Sequence, residues 1–169
     1  NEVTISPCFA HLRSDWRQIV HVVAGDLAEK NAGLDSRTRS ELAGRLTHII
    51  HCAASVDFDL PLQQAARSNI TGAIEVMNLA QECEALESMV STSTAYVTPH
   101  RGDSYVVGEQ LVDLPRPAEQ IFASIVAGTA DTKSLLRETG HPNTYTLTKC
   151  LAEHLLMARK GTVPLTIVR

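Results

Sequence analysis

Tyr145 and Lys149 could do acid–base chemistry together if a helix carries both. Residues 142–160 have that pattern, because Leu147, Cys150, Leu151, Leu155 and Ala158 recur at the spacing of one buried stripe. Pro142 suits a first turn, where its missing N–H is no loss, and Lys160-Gly161 with Pro164 beyond supplies a stop. Residues at i and i+4 stand one turn apart on the same face, so the ammonium would lie near the phenol or near a ligand that both touch. A fixed cation favours phenolate and draws a phenol down from about 10. A phenol so tuned exchanges a proton with an alcohol or carbonyl oxygen at neutral pH. The same pair also fits an ordinary half-exposed helix face, and so short a motif decides nothing alone.

The elements around it must therefore carry the argument. Residues 18–24 read as a strand ending at Gly25-Asp26-Leu27, after a weakly patterned start in which 8–16 reads as a helix. Asp35 or Ser36 can cap a polar helix to about residue 46. Residues 47–52 form an unalternating, buried strand that runs into Ala53-Ala54-Ser55, small residues where a ligand could come close. Pro61 opens a long helix to about Glu82, with Leu62, Ala66, Ala73, Val76, Met77 and Ala80 on one stripe and Asn69 inside it. Residues 86–90 form a third strand leading into the hydroxyl run Ser91-Thr92-Ser93-Thr94. One or two helices broken near Gly128 occupy 118–138, and a last strand starts at 163. Strands and helices in alternation predict a parallel α/β sheet covered on both faces, with ligands beyond the carboxyl ends of its strands. The excursion 97–141 is longer than an ordinary connection and is expected to shape a substrate pocket.

Composition narrows the function classes. A chain of 169 residues, 44% hydrophobic and 20% charged, is one globular domain with a real core. A net charge of −4 speaks against a nucleic-acid or anionic-membrane surface. Cys8, Cys52, Cys83 and Cys150 lie far apart without a Cys-x-x-Cys and read as reduced core thiols of a cytoplasmic protein. His48 and His51 point to opposite faces of their strand and cannot share a metal. No apolar run reaches the ~20 residues that span a membrane. Arg101-Gly102-Asp103 reads as an ordinary turn. The chain starts without Met and stops straight after the β-type run 163–168, so both ends read as cut from a longer protein.

Four strings then resemble the extended short-chain dehydrogenases/reductases, and more narrowly their fatty acyl-CoA reductase or male-sterility branch. They are Gly25-Asp26-Leu27, His51-Cys52-Ala53-Ala54-Ser55-Val56-Asp57-Phe58, Asn69-Ile70-Thr71-Gly72, and Ser93-Thr94-Ala95-Tyr96-Val97 with Asn143-Thr144-Tyr145-Thr146-Leu147-Thr148-Lys149. The resemblance covers nearly the whole chain. It implies a Rossmann-like, doubly wound parallel sheet, with the first βα unit and the C-terminal substrate region absent from this stretch. It implies NADPH as cofactor, NADH not being excluded, and reduction of a fatty acyl-CoA or other acyl thioester to aldehyde, alcohol or both. By the same resemblance Thr94, Tyr145 and Lys149 are catalytic, with Ser93 as the fallback for Thr94. Asp26 and Leu27 would contact adenine, and Ala53 and Ala54 would pass over the cofactor. Asn69 would tie neighbouring strands together near it, and Tyr145 and Lys149 would also touch it. A cytoplasmic protein, or one peripheral to a membrane, is the expected setting. The alternatives are another extended reductase (of carrier-protein thioesters, sterols or sugar nucleotides) or a non-catalytic dinucleotide-binding regulator.

Overall fold

The structure, a computed structural model, describes residues 6–102, 104 and 106–169. In chain order its elements are α1 (Trp16–Ile19), α2 (Ser36–Ala43), β1 (His48–His51), α3 (Leu62–Ala66), α4 (Gly72–Glu82), β2 (Ser88–Thr92), α5 (Ala118–Val126), α6 (Thr132–Thr139), α7 (Thr144–Arg159) and β3 (Leu165–Val168). Among the described residues three strands form one parallel sheet in the order β1-β2-β3, with His48 opposite Ser88 and Met89 opposite Leu165. Parallel neighbours need a crossover, and helices supply both. This is the Rossmann-like parallel sheet with helices that the alternating pattern predicts.

The pleat decides which side chains face the helices. Ile49, Met89 and Leu165 share one rung and pack into the core with Ile70, Met77, Ile121, Leu147, Leu151 and Leu155. One residue on, Ile50 points the other way and is 76% exposed. The strand expected to be buried over 47–52 is therefore β1, His48–His51, open on that face, and the expected cover on both faces of the sheet is not found among the described residues. The helix predicted from Pro61 to Glu82 runs the full distance, but a π-helical turn, Arg67–Thr71, joins α3 to α4. Gly128 separates α5 from α6 as its position in the sequence suggests.

Several expectations are corrected. Residues 18–24 form no strand: α1 takes the start, the rest belongs to no regular element, and Val22 is 94% exposed. A β-branched run becomes a strand only when a neighbour pairs with its backbone, and among the described residues β1 pairs with β2 alone. The helix expected over 8–16 is a single 3-10 turn, Pro7–Phe9, followed by α1. β2 begins at Ser88 rather than residue 86, and α7 at Thr144 rather than Pro142. Asn143 is the reason for the latter, since its side-chain oxygen accepts the Thr146 N–H at 2.9 Å as a cap, leaving Pro142 outside. Ala158 is exposed, not part of the buried stripe. Of the four free cysteines only Cys150 is buried; Cys83 is half-buried and Cys8 and Cys52 are exposed. Residues 1–5 and Asp103, hence part of the Arg101-Gly102-Asp103 turn, lie outside the described residues.

Candidate active site

Lys149 is the best-anchored of the predicted residues. It is only 6% exposed, not half-exposed as a surface helix would leave it, and its Nζ donates to the Thr92 carbonyl at 2.6 Å. That carbonyl lies at the end of β2, two residues before Thr94. An ammonium has three donors, so this bond leaves capacity for a ligand. Burial pushes the ammonium below the usual lysine range, and the nearby Glu153 and then Cys52 pull it back towards charge.

Thr94 and Tyr145 are brought to the same end of the sheet. Thr94 caps the 3-10 turn Ala95–Val97, its hydroxyl accepting the Tyr96 N–H at 3.2 Å, and α7 packs against that turn. Tyr145 opens α7 half-buried, its ring 5.3 Å from that of Phe58. The residue beside Thr94 differs from it: the Ser93 hydroxyl is buried without a partner, while its N–H donates to the Val168 carbonyl at 2.6 Å.

Asn69 connects these parts, joining the loop after β1 to α7 and not, as expected, one strand to another. It is 2% exposed inside the π turn; its Oδ1 accepts the Ser55 N–H at 2.8 Å and its Nδ2 donates to the Thr148 hydroxyl at 3.1 Å. Thr148 in turn donates to the carbonyls of Thr144, at 2.8 Å, and Tyr145, at 3.0 Å. Donor and acceptor roles therefore run in one direction, from the loop bearing Ala53 and Ala54, both exposed, to the backbone of Tyr145. A π turn opens the backbone to such insertions, and these turns gather at functional sites.

Asp26 and Leu27 occupy a separate loop on the same helix. Gly33 adopts φ +65°, and a Cβ there would sit 2.7 Å from the Asp26 nitrogen, so only glycine lets the loop fold back. Leu27 packs on Gly72, where a Cβ would come within 3.3 Å of the leucine's own. Arg67 pairs with Glu29 and the Asn31 N–H donates to Glu75 at 2.8 Å, fastening the loop to α4 and the π turn. The exposed Asp26 carboxylate accepts the Ala28 N–H at 2.9 Å.

Three groups near Lys149 were given no role in the sequence reading. Thr148 looks like one more threonine, although its place four residues after Thr144 was a usable signal. Glu153 interrupts an apolar stretch, which marks a buried charge. His51 is 4% exposed, and burial, then the Lys149 charge, push its imidazole down to about 4.

The model of the Male sterility protein family, an NAD-binding family, matches residues 1–169. The chain belongs to that family. Among curated relatives, the alcohol-forming fatty acyl-CoA reductase of Simmondsia chinensis is 31% identical over 89% of this chain and 36% of its own. Fatty acyl-CoA reductase 1 of Gallus gallus is 30% identical over 99% of this chain and 33% of its own. These place the male-sterility chain in the fatty acyl-CoA reductase branch of the extended short-chain dehydrogenases/reductases. It spans about a third of the length of such relatives. The fold is shared with the terminal R domain of the myxalamid biosynthetic pathway, with a TM-score of 0.65 at 22% identity over 87% of this chain and 32% of that one. Among the described residues no helix is long and apolar enough to cross a membrane, and no cluster of His, Cys, Asp and Glu could hold a metal ion.

Proposed function

We propose that this chain is the cofactor-binding part of an NADPH-dependent reductase that converts a fatty acyl thioester, such as an acyl-CoA, to aldehyde or alcohol through Thr94, Tyr145 and Lys149. The observation that carries it is the bond from Lys149 to the end of β2, which draws the Tyr145 helix against the strand end bearing Thr94. The relatives' names support the substrate class.

A nicotinamide dinucleotide fits the residues present. Lys149 keeps donors beyond the Thr92 carbonyl, as ribose hydroxyls require, and Ala53 and Ala54 leave the end of β1 open to close approach. Asp26 and Leu27 would take its adenine end, Asn69 would hold the 53–55 loop in place, and Ser93 would flank the nicotinamide side. When bound, the cofactor supplies the hydride. The protein does the rest. The Thr94 and Tyr145 hydroxyls donate hydrogen bonds to the substrate carbonyl oxygen and gain strength as charge builds on it. Tyr145 then delivers a proton from its hydroxyl to that oxygen, giving a hemithioacetal whose C–S bond breaks to release the free thiol and leave the aldehyde; a second hydride and proton would give the alcohol. Lys149 holds the ribose and presents a positive charge beneath the phenol. Phe58, Val56 and Tyr96 are exposed near this end of the sheet and suit an alkyl substrate. The 97–141 excursion would complete the substrate side, and the setting is cytoplasmic or peripheral to a membrane.

The test is Tyr145→Phe in the full-length protein, with NADPH oxidation followed on palmitoyl-CoA. Turnover should fall about 10²- to 10⁴-fold while the dinucleotide still binds. Retained turnover would remove Tyr145 from the mechanism. Wild-type protein that ignores the thioester but oxidises NADPH with another carbonyl substrate would remove the substrate class.

A further inference from the structure

One buried carboxylate joins the Tyr145–Lys149 helix to the substrate-side excursion. Glu153 lies one turn beyond Lys149 on α7 and is 2% exposed, surrounded in sequence by the buried Leu151, Ala152, Leu155 and Leu156. A charge enclosed to that degree needs a partner. Arg169, next after β3, provides one in fork geometry, its Nε 3.0 Å from Oε1 and its Nη2 2.6 Å from Oε2. The same guanidinium donates to the carbonyls of Gly108, at 3.3 Å, and Gln110, at 2.9 Å. Glu153 thus ties α7, the end of β3 and the excursion to one point. Glu153, Arg169, Gly108 and Gln110 also line a cavity of about 790 Å³ that reaches Ala95, the neighbour of Thr94.

Glu153 also shares a helix face with Lys149, four residues before it and itself buried. The Lys149 ammonium donates to the Thr92 carbonyl of β2 at 2.6 Å, and Tyr145 and Glu153 stand one turn to either side of Lys149 on its own helix. Its charge is felt by His51 as those of Glu153 and Cys52 are felt by it, with Arg169 paired to Glu153. We infer that Glu153 is a positioning residue of the site: clamped by Arg169, it seats the Lys149 ammonium and fixes the 108–110 segment on the substrate side. The inference rests on the reductase reading, because Glu153 acts through Lys149.

A buried ion pair can instead be a staple, and the two roles separate experimentally. Replacing both members of a buried pair with apolar residues of similar size commonly restores stability, whereas removing one does not. The variants are Glu153→Gln and the double Glu153→Met, Arg169→Met, made in the full-length protein and followed by urea unfolding, by kcat and KM for palmitoyl-CoA, and by the pH profile. The double variant should regain the unfolding midpoint lost by Glu153→Gln. It should still lose kcat at a lower pH than wild type on the alkaline side, reaching a deficit of about tenfold for each pH unit by which that limb moves. KM for the thioester should rise in both variants. A double variant with the wild-type midpoint, kcat, KM and alkaline limb would overturn the inference and leave only the staple. Lys149→Met is the control: if it keeps turnover, the site reading itself fails, and if it abolishes turnover while the Glu153 variants match wild type, only the role of Glu153 fails.

Discussion

Asn69→Ala offers the sharpest measurement of how the site is held together. The substitution removes a side chain that is 2% exposed and deletes two bonds, one from the Ser55 N–H at 2.8 Å and one to the Thr148 hydroxyl at 3.1 Å. Losing a hydrogen bond costs about 1 kcal/mol net, and leaving a partly buried backbone N–H without its acceptor brings that bond to about 1–3 kcal/mol. Thr148 loses less, since it still donates to the Thr144 carbonyl at 2.8 Å. With the small void left behind, the total is about 3 kcal/mol. At a urea dependence of about 2 kcal/mol per molar, the midpoint should fall by about 1.5 M. The local readout is hydrogen exchange at Ser55, which should lose most of its protection. Thr148→Val cuts the same chain one link later and should leave Ser55 protected while costing about 1–3 kcal/mol, because the buried Asn69 amide N–H loses its acceptor. In the double variant the two losses should not add, because they share one bond. Unchanged Ser55 exchange in Asn69→Ala, or strict additivity in the cycle, would refute the relay.

Two other outcomes follow from single groups. Gly33→Ala places a Cβ 2.7 Å from the Asp26 nitrogen at a φ of +65°, and should destabilise the protein by about 2 kcal/mol or more and weaken dinucleotide binding, measured by fluorescence titration. His51 is held neutral by burial, its pKa down to about 4 against an ordinary 6.5, so the unfolded chain binds the extra proton between those values. Stability from this residue is therefore complete above about pH 6.5 and declines as pH falls towards 4, a slope that His51→Gln should reduce in pH-dependent urea melts.

Much of this arrangement was legible because periodicity and pairing agreed. The helix of Tyr145 and the crossover from Pro61 each bury a continuous stripe, which sequence spacing reports directly, whereas β1 was located by its residue types but not its burial, since Ile50 is 76% exposed. Residues 18–24 misled because Ile19, Val20, Val22 and Val23 carry the residue types of a strand, while strand formation depends on a neighbour that local sequence does not reveal. The start of α7 misled for a smaller reason: proline at 142 and asparagine at 143 both favour a helix start, and the side-chain acceptor won. Lys149 could be placed next to Tyr145 from spacing, but not its burial or its bond to Thr92, because both arise from a strand 57 residues away in sequence. Glu153 and Arg169 were invisible as a pair for the same reason.

The recurring strings also have physical causes that their letters do not state. Gly72 follows Asn69 by one helical turn, and the two do different work on one element: Gly72 lets Leu27 of the 25–27 turn come against the helix, while Asn69 holds the loop after β1. The π turn lies between α3 and α4, where a regular helix would have closed its own bonds, and it is there that the Asn69 side chain reaches both the 53–55 loop and α7. A sequence that kept Tyr145 and Lys149 but lost Asn69 would retain the reacting groups and lose the link between the loop proposed to meet the cofactor and the residue proposed to donate the proton. Geometry between those two regions, rather than the pair alone, is what the chain is built to hold.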